Sequence, residues 1–241
     1  MMKERELGEV IEQKRFFNAA PESSLPEQDE GKREMGPLYP FLISGGRNTE
    51  RWYFAHINDI TDYKFNIIPK YFGDEPSYTE VFPNRIKGIL EKNTDAKVFC
   101  VFDWDTIFNN ETNQEKHRAF EEELQPKIES GTVILCPSMP SIEYWFLLHF
   151  ENYTDLLKTC SRKLQRLLSP YMMPYFTGSD KKLLNLLKDD SYIRNGDWVK
   201  ELCSDGKLQL AIQRAEENIN AAIEKNELNK QSYTYVYKLF K

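Results

Sequence analysis

The chain has 241 residues, of which 40% are hydrophobic and 13% aromatic, enough to bury one large core or a core with an appendage. Its net charge of −6 excludes a protein that coats nucleic acid through its overall field, since that affinity comes from many phosphate contacts; any nucleic-acid contact must be local. No segment approaches the roughly 18–20 uncharged apolar residues of a membrane span, and the opening MMKERELGEVIEQKR lacks the apolar stretch of a signal peptide, so a cytoplasmic location is expected.

Residues 1–36 are rich in Glu, Lys, Pro and Ser and predict a helix at 3–16 followed by a flexible linker, an extension suited to docking. An α/β domain is expected over 37–150. Its predicted elements are a strand at 40–44, a helix at 48–60, an extended segment at 65–72, a helix at 79–92, a strand at 97–103, a helix at 112–129 and a strand at 132–136. Such alternation implies a parallel four-stranded sheet flanked by helices. After the sheet come helices at 140–150, 153–168, 180–188, 208–225 and 232–240, and residues 151–241 are expected to form a helical C-terminal portion packed on the sheet domain. Cys100, Cys136, Cys160 and Cys203 are scattered without zinc or disulfide spacing and read as reduced core residues.

In open parallel sheets ligands bind beyond the carboxyl ends of the strands, which singles out three places. The first is Gly45-Gly46-Arg47-Asn48-Thr49-Glu50, a glycine turn into a helix. Glu50 sits in the first helical turn, where the macrodipole favours its ionised form and suits a metal ligand or a group that orients water; capping alone would also explain it. The glycine pair lacks the Walker lysine and the GxGxxG spacing. The second place is Val98-Phe99-Cys100-Val101-Phe102-Asp103-Trp104-Asp105, an apolar strand ending in two carboxylates. If the extended conformation persists, Asp103 and Asp105 point the same way, a geometry that holds Mg²⁺ or Mn²⁺; the alternative is a solvated Asp turn. The third is Cys136 to Phe150, where Glu143 lies near a helix N-terminus facing the same crevice, while Trp145, Leu148 and His149 fall at core spacing. His56 and His117, on predicted helix surfaces, carry no signal.

Within the predicted helix at 153–168, Lys158, Arg162 and Arg166 recur at steps of four and make a basic stripe, either a solvated face or a guide for a nucleic-acid backbone. Lys181 and Lys182 form a second basic region.

These motifs together resemble the RloB family, whose members resemble Toprim-fold nucleases of prokaryotic defence systems. Asn48-Thr49-Glu50-Arg51-Trp52-Tyr53-Phe54, Val101-Phe102-Asp103-Trp104-Asp105, and the run with Ser138, Pro140, Glu143, Trp145 and Leu147-Leu148-His149-Phe150 are similar to the family's three signatures in order; Ser232-Tyr233-Thr234 resembles its closing helix. The resemblance implies a Toprim-like fold and a Mg²⁺- or Mn²⁺-dependent nuclease of RNA, tRNA or DNA. In that reading Asp103 and Asp105 hold metal, Glu50 or Glu143 is the base or a further ligand, and an ABC-type ATPase and self-association are implied. The acid that Toprim proteins carry before the turn glycine falls on Gly45 here. That departure leaves three readings: Glu50 substitutes, catalysis is impaired, or the sequence is altered there. The competing functions are a catalytically inactive Toprim-like binding or sensing module partnered with an ATPase, and a flavodoxin-like nucleotide-binding domain.

Overall fold

Apolar residues of the strands point alternately to two faces, and both faces are covered. The computed structural model describes residues 39–46, 48–68, 78–160 and 162–241; the expected helix at 3–16, its linker and residues 69–72 lie outside these. Four strands, β1 (Phe41–Ser44), β2 (Asn66–Ile68), β3 (Val98–Asp103) and β4 (Val133–Met139), pair in parallel in the order β2-β1-β3-β4. In the centre, Leu42, Phe99 and Val101 enter one hydrophobic cluster, while Ile43, Val98, Cys100 and Phe102 enter a second. This period of two is what places helices on either side.

The helices α1 (Thr49–Ile60), α2 (Tyr78–Leu90), α3 (Asp105–Phe108) and α4 (Glu111–Glu129) alternate with the strands, and α5 (Ile142–Leu148) follows β4. Phe82 and Ile86 of α2 and Phe120 and Leu124 of α4 close the second cluster. Every residue of α5 is buried, as an apolar helix must be when it lies between a sheet and an outer layer. That outer layer comprises α6 (Arg162–Met172), α7 (Leu183–Leu186), α8 (Asp190–Ile193), α9 (Asp197–Cys203) and α10 (Lys207–Glu224). Trp198 of α9 meets Phe146 edge-on at 5.4 Å, and Trp145 donates to the Tyr53 hydroxyl at 2.8 Å. The sheet and the C-terminal helices therefore share one core, and residues 38–241 cluster as one compact unit. Among the described residues no helix is long and apolar enough to cross a membrane.

Three expectations are corrected. The sheet has five strands, not four: β5 (Tyr233–Thr234) runs antiparallel to β4 at its edge, where a helix over 232–240 was expected. Only Val236–Phe240 coils there, as a 3₁₀ turn. The β-branched and aromatic pair Tyr233-Thr234 fits a pleated edge, and two residues are too few to show a periodicity. The expected helix at 153–168 is instead α6, which starts at Arg162. Upstream of it, Asp155 bridges Gln231, Ser232 donates its hydroxyl to the Asp155 carbonyl, and the Leu157 amide donates back to that hydroxyl. Backbone groups that a helix would have paired internally are satisfied by the closing segment instead. The helix expected at 180–188 contracts to the single turn of α7.

The hydroxyls of Ser138 on β4 and Thr234 on β5 lie 2.7 Å apart, both residues fully buried, and the Thr234 oxygen also receives the Val236 amide. Thr234→Val keeps the shape and strands both partners, so it should lower unfolding free energy by about 1–3 kcal/mol in urea denaturation. A midpoint equal to the parent's would show that this bond does not hold β5.

Candidate functional site

The carboxyl ends of β1, β3 and β4 converge on one crevice. From β1, the chain turns through Gly45 and Gly46 into α1, whose first turn carries Glu50. Glu50 is buried, with its carboxylate folded back over Gly46: a Cβ at Gly46 would lie 1.8–2.1 Å from the Glu50 carboxyl atoms, so any side chain there would displace the carboxylate from this position. The outer layer completes this corner. Asn48 donates to the Lys188 carbonyl at 2.7 Å, Thr49 to the Leu187 carbonyl at 2.7 Å, and Trp52 to Asp190 at 2.7 Å, which brings Lys188 into electrostatic reach of Glu50.

β3 delivers Asp103, whose Oδ1 accepts the Ile142 amide at the start of α5 at 2.9 Å. The strand stops there. Trp104 is helical (φ −90°, ψ −19°) and Asp105 opens α3, so strand alternation does not carry Asp105 to the crevice; the turn does. Its Oδ2 accepts the Cys160 amide at 3.0 Å. After β4, Glu143 lies buried in the first turn of α5, its Oε2 accepting the Ser141 hydroxyl at 2.6 Å and approached by the Cys160 thiol at 3.6 Å.

These carboxyl groups repel one another. Burial first, and Glu143 next among the neighbouring charges, push Glu50 up to about 7 against the opposing pull of its own amide, the Gly46 amide and Lys188. Asp103 is held well above the usual carboxylate range by burial and then by Glu50, Glu143 and Asp105, with the Ile142 amide opposing. Burial and the negative charge of Glu143 raise the Cys160 thiol as well, so it remains protonated. The donor chemistry fits a hard divalent cation, for the oxygens opposite the hydrogen-bonded ones on Asp103, Asp105 and Glu143 accept no hydrogen bond among the described residues. As they stand, no three His, Cys, Asp or Glu side chains among the described residues are drawn closely enough together to hold an ion.

A Cβ at Gly45 would contact Phe102 at 3.4 Å and Tyr78 at 3.5 Å. Phe102 belongs to the second cluster, whereas the neighbouring Val101 faces the first. A side chain there would leave towards the α2 and α4 face of the sheet.

The basic residues sort differently from the sequence expectation. Lys158 precedes α6 and does not share a face with Arg162 and Arg166; its carbonyl accepts from Asn109. Lys181 is neutralised by Asp189 at 2.6 Å. Arg162 and Arg166 of α6 instead meet Lys182 across an open groove of about 560 Å³ that Gln165 and Ser169 also line. Among the described residues these three cations form no ion pair. Both walls lead back to the carboxylates, since α6 begins two residues after Cys160 and the turn of α7 runs on to Lys188.

The histidines are structural. His149 is buried, bonds the Trp145 carbonyl through Nδ1, and is lowered by burial to about 3, so it stays neutral. His56 and His117 are buried rather than on the surface; His117 packs edge-on to Trp104 and bonds the Tyr78 hydroxyl. Sequence reasoning missed Ser141, Cys160 and Lys188. Ser141 carried a signal as the residue before a helix, but it serves Glu143 rather than a backbone amide. Cys160 reaches Asp105 across 55 positions, which no local pattern reveals.

The family model described as RloB-like protein matches residues 41–241. No curated protein and no solved structure matches the chain.

Glu50 binds its proton more tightly folded than unfolded, so its own contribution to stability is lost as pH rises from about 4.5 to about 7. Glu50→Gln removes that penalty and should raise unfolding free energy above pH 7 by about 1–3 kcal/mol, with little change in acid. Thermal melts across pH in EDTA check this; a variant less stable than the parent at alkaline pH would show that the glutamate is not held against repulsion.

Proposed function

The chain belongs to the RloB family, and on that premise we propose that it is a divalent-metal-dependent nuclease hydrolysing phosphodiesters of RNA, tRNA or DNA, an effector of prokaryotic anti-phage defence on a Toprim-like scaffold. The supporting observation is the gathering of Glu50, Asp103, Asp105 and Glu143 in one crevice beside a groove of unpaired cations. Asp103, Asp105 and Glu50 are the residues that would hold Mg²⁺ or Mn²⁺, which when bound stabilises developing charge on the phosphate and acidifies water. Where Glu50 does not itself ligate the ion, its place beside the aspartates suits it to take a proton from the attacking water. Glu143, fixed by Ser141 and Cys160, keeps the potential of the crevice negative and is the second candidate base. Arg162, Arg166 and Lys182 would hold the strand by its phosphates. An ABC-type ATPase is the proposed partner, self-association a further proposal, and the cytoplasm the proposed location. The second reading, a non-catalytic binding or sensing module, draws on Gly45, where no acid stands.

Asp103→Asn and Asp105→Ala should each reduce Mg²⁺- or Mn²⁺-dependent cleavage of a panel of tRNA, single-stranded RNA and DNA by at least about 100-fold, while circular dichroism melts are unchanged or raised because repulsion is relieved. Equal cleavage by parent and variants would remove the aspartates from the chemistry. A parent that binds Mn²⁺ and cuts nothing, alone or with its ATPase, would favour the second reading.

Reversing charge at Arg162, Arg166 and Lys182 together should weaken binding of a labelled oligonucleotide at least tenfold at low salt and flatten its salt dependence by about 2–3 in the log–log slope. Fluorescence anisotropy across a salt series measures both, and equal low-salt affinity would place the strand elsewhere.

A further inference from the structure

The proposed roles of the carboxylates and of Arg162, Arg166 and Lys182 concern the phosphates of a strand and leave its bases without an assigned partner. A second cavity, of about 360 Å³, is lined by Trp104 and Phe108 at the two ends of α3, by Leu156 and by residues 226–233. Trp104, Phe108 and Tyr233 supply aromatic rings, Leu156 an apolar wall, and Asn229 and Gln231 amides; no charged side chain lines it. The Asn229 amide and the Tyr233 hydroxyl form no hydrogen bond among the described residues, and Gln231 uses only Nε2, on the Asn218 carbonyl. Its volume falls in the range of small-ligand sites.

The lining specifies the ligand. Flat rings favour a flat, polarisable partner, and amides that both donate and accept match an edge carrying both kinds of group; the absence of charge excludes a phosphate or carboxylate inside. A nucleobase meets all three conditions. The chain also ties the cavity to the crevice. Trp104 stands between Asp103 and Asp105 in the chain, and Leu156 lies four residues before Cys160, whose amide holds Asp105. Four residues span at most about 14 Å when fully extended, within reach of a neighbouring nucleotide.

We propose that this cavity seats one unpaired base of the substrate strand while the adjoining phosphate lies at the carboxylates, which makes single-stranded or looped nucleic acid the substrate class. The inference rests on the nuclease reading for the role of the pocket, but its chemistry stands apart from cleavage. A base inside a duplex cannot enter, because its face is stacked and its edge paired. Trp104 and Tyr233 stack on the base, and Asn229 reads its edge.

The test uses the full chain in EDTA, where no metal-dependent cutting occurs. Each of the four nucleoside monophosphates is titrated while tryptophan fluorescence is followed, with Trp104→Phe identifying the Trp104 signal. Separately, a short labelled single strand is bound with one abasic position moved along it. Asn229 is exposed, so Asn229→Leu removes the amide without opening the core. The expected results are saturable quenching of Trp104, weakened about fivefold or more by Asn229→Leu, and one abasic position that costs the parent about fivefold or more but costs the variant little. No quenching by any nucleotide, together with indifference to every abasic position, overturns the proposal. Quenching by mononucleotides without an abasic effect overturns the substrate role and assigns the cavity to a free nucleotide. Base binding that persists in a chain shown to cut nothing would count against the nuclease reading and leave the pocket standing.

Discussion

Mutual repulsion among crowded carboxyl groups, two of them buried and two half-buried, is the constraint around which the crevice is built. Glu50, Asp103, Asp105 and Glu143 approach from three strand ends with Lys188 as the cation facing Glu50, and this costs free energy that an apolar lining would not. The surrounding structure is shaped to hold them regardless. Gly46 yields its side-chain volume to Glu50, the Ile142 and Cys160 amides each take one aspartate oxygen, and the Ser141 hydroxyl fixes Glu143. A rigid parallel sheet, apolar on both faces, supplies the burial that offsets the cost.

The same arrangement makes the outer layer part of the site rather than an attachment to it. α6 and α7 leave the crevice on either side of the groove, so the path along Arg162, Arg166 and Lys182 is set by the segments that carry Cys160 and Lys188.

Much of this was legible because it is local. β1, β3, β4, α1, α2, α4, α5 and α10 announce themselves through alternation or helical spacing, and Glu50, Asp103 and Glu143 follow strands whose apolar runs are plain in the sequence. What was missed is non-local. Residues 153–160 have helical spacing at Leu157 and Cys160, yet their backbone bonds go to Ser232 and Asp105. The stripe through Lys158 failed with that helix. Asp105 was read as the next step of a strand that in fact ends at Asp103, because nothing in Asp-Trp-Asp distinguishes continuation from a turn. His117 looked like a surface residue on a polar helix, and only the fold shows Phe102, Trp104 and Tyr78 around it.

Ser232 and Thr234 hold both the segment leading to Cys160 and the last part of β4. The closing segment therefore governs a carboxylate to which it makes no hydrogen bond among the described residues: Ser232 pins the backbone at Asp155 and Leu157, and three residues further on the Cys160 amide takes the Asp105 oxygen, so slack at Ser232 is passed to Asp105 through the backbone between them.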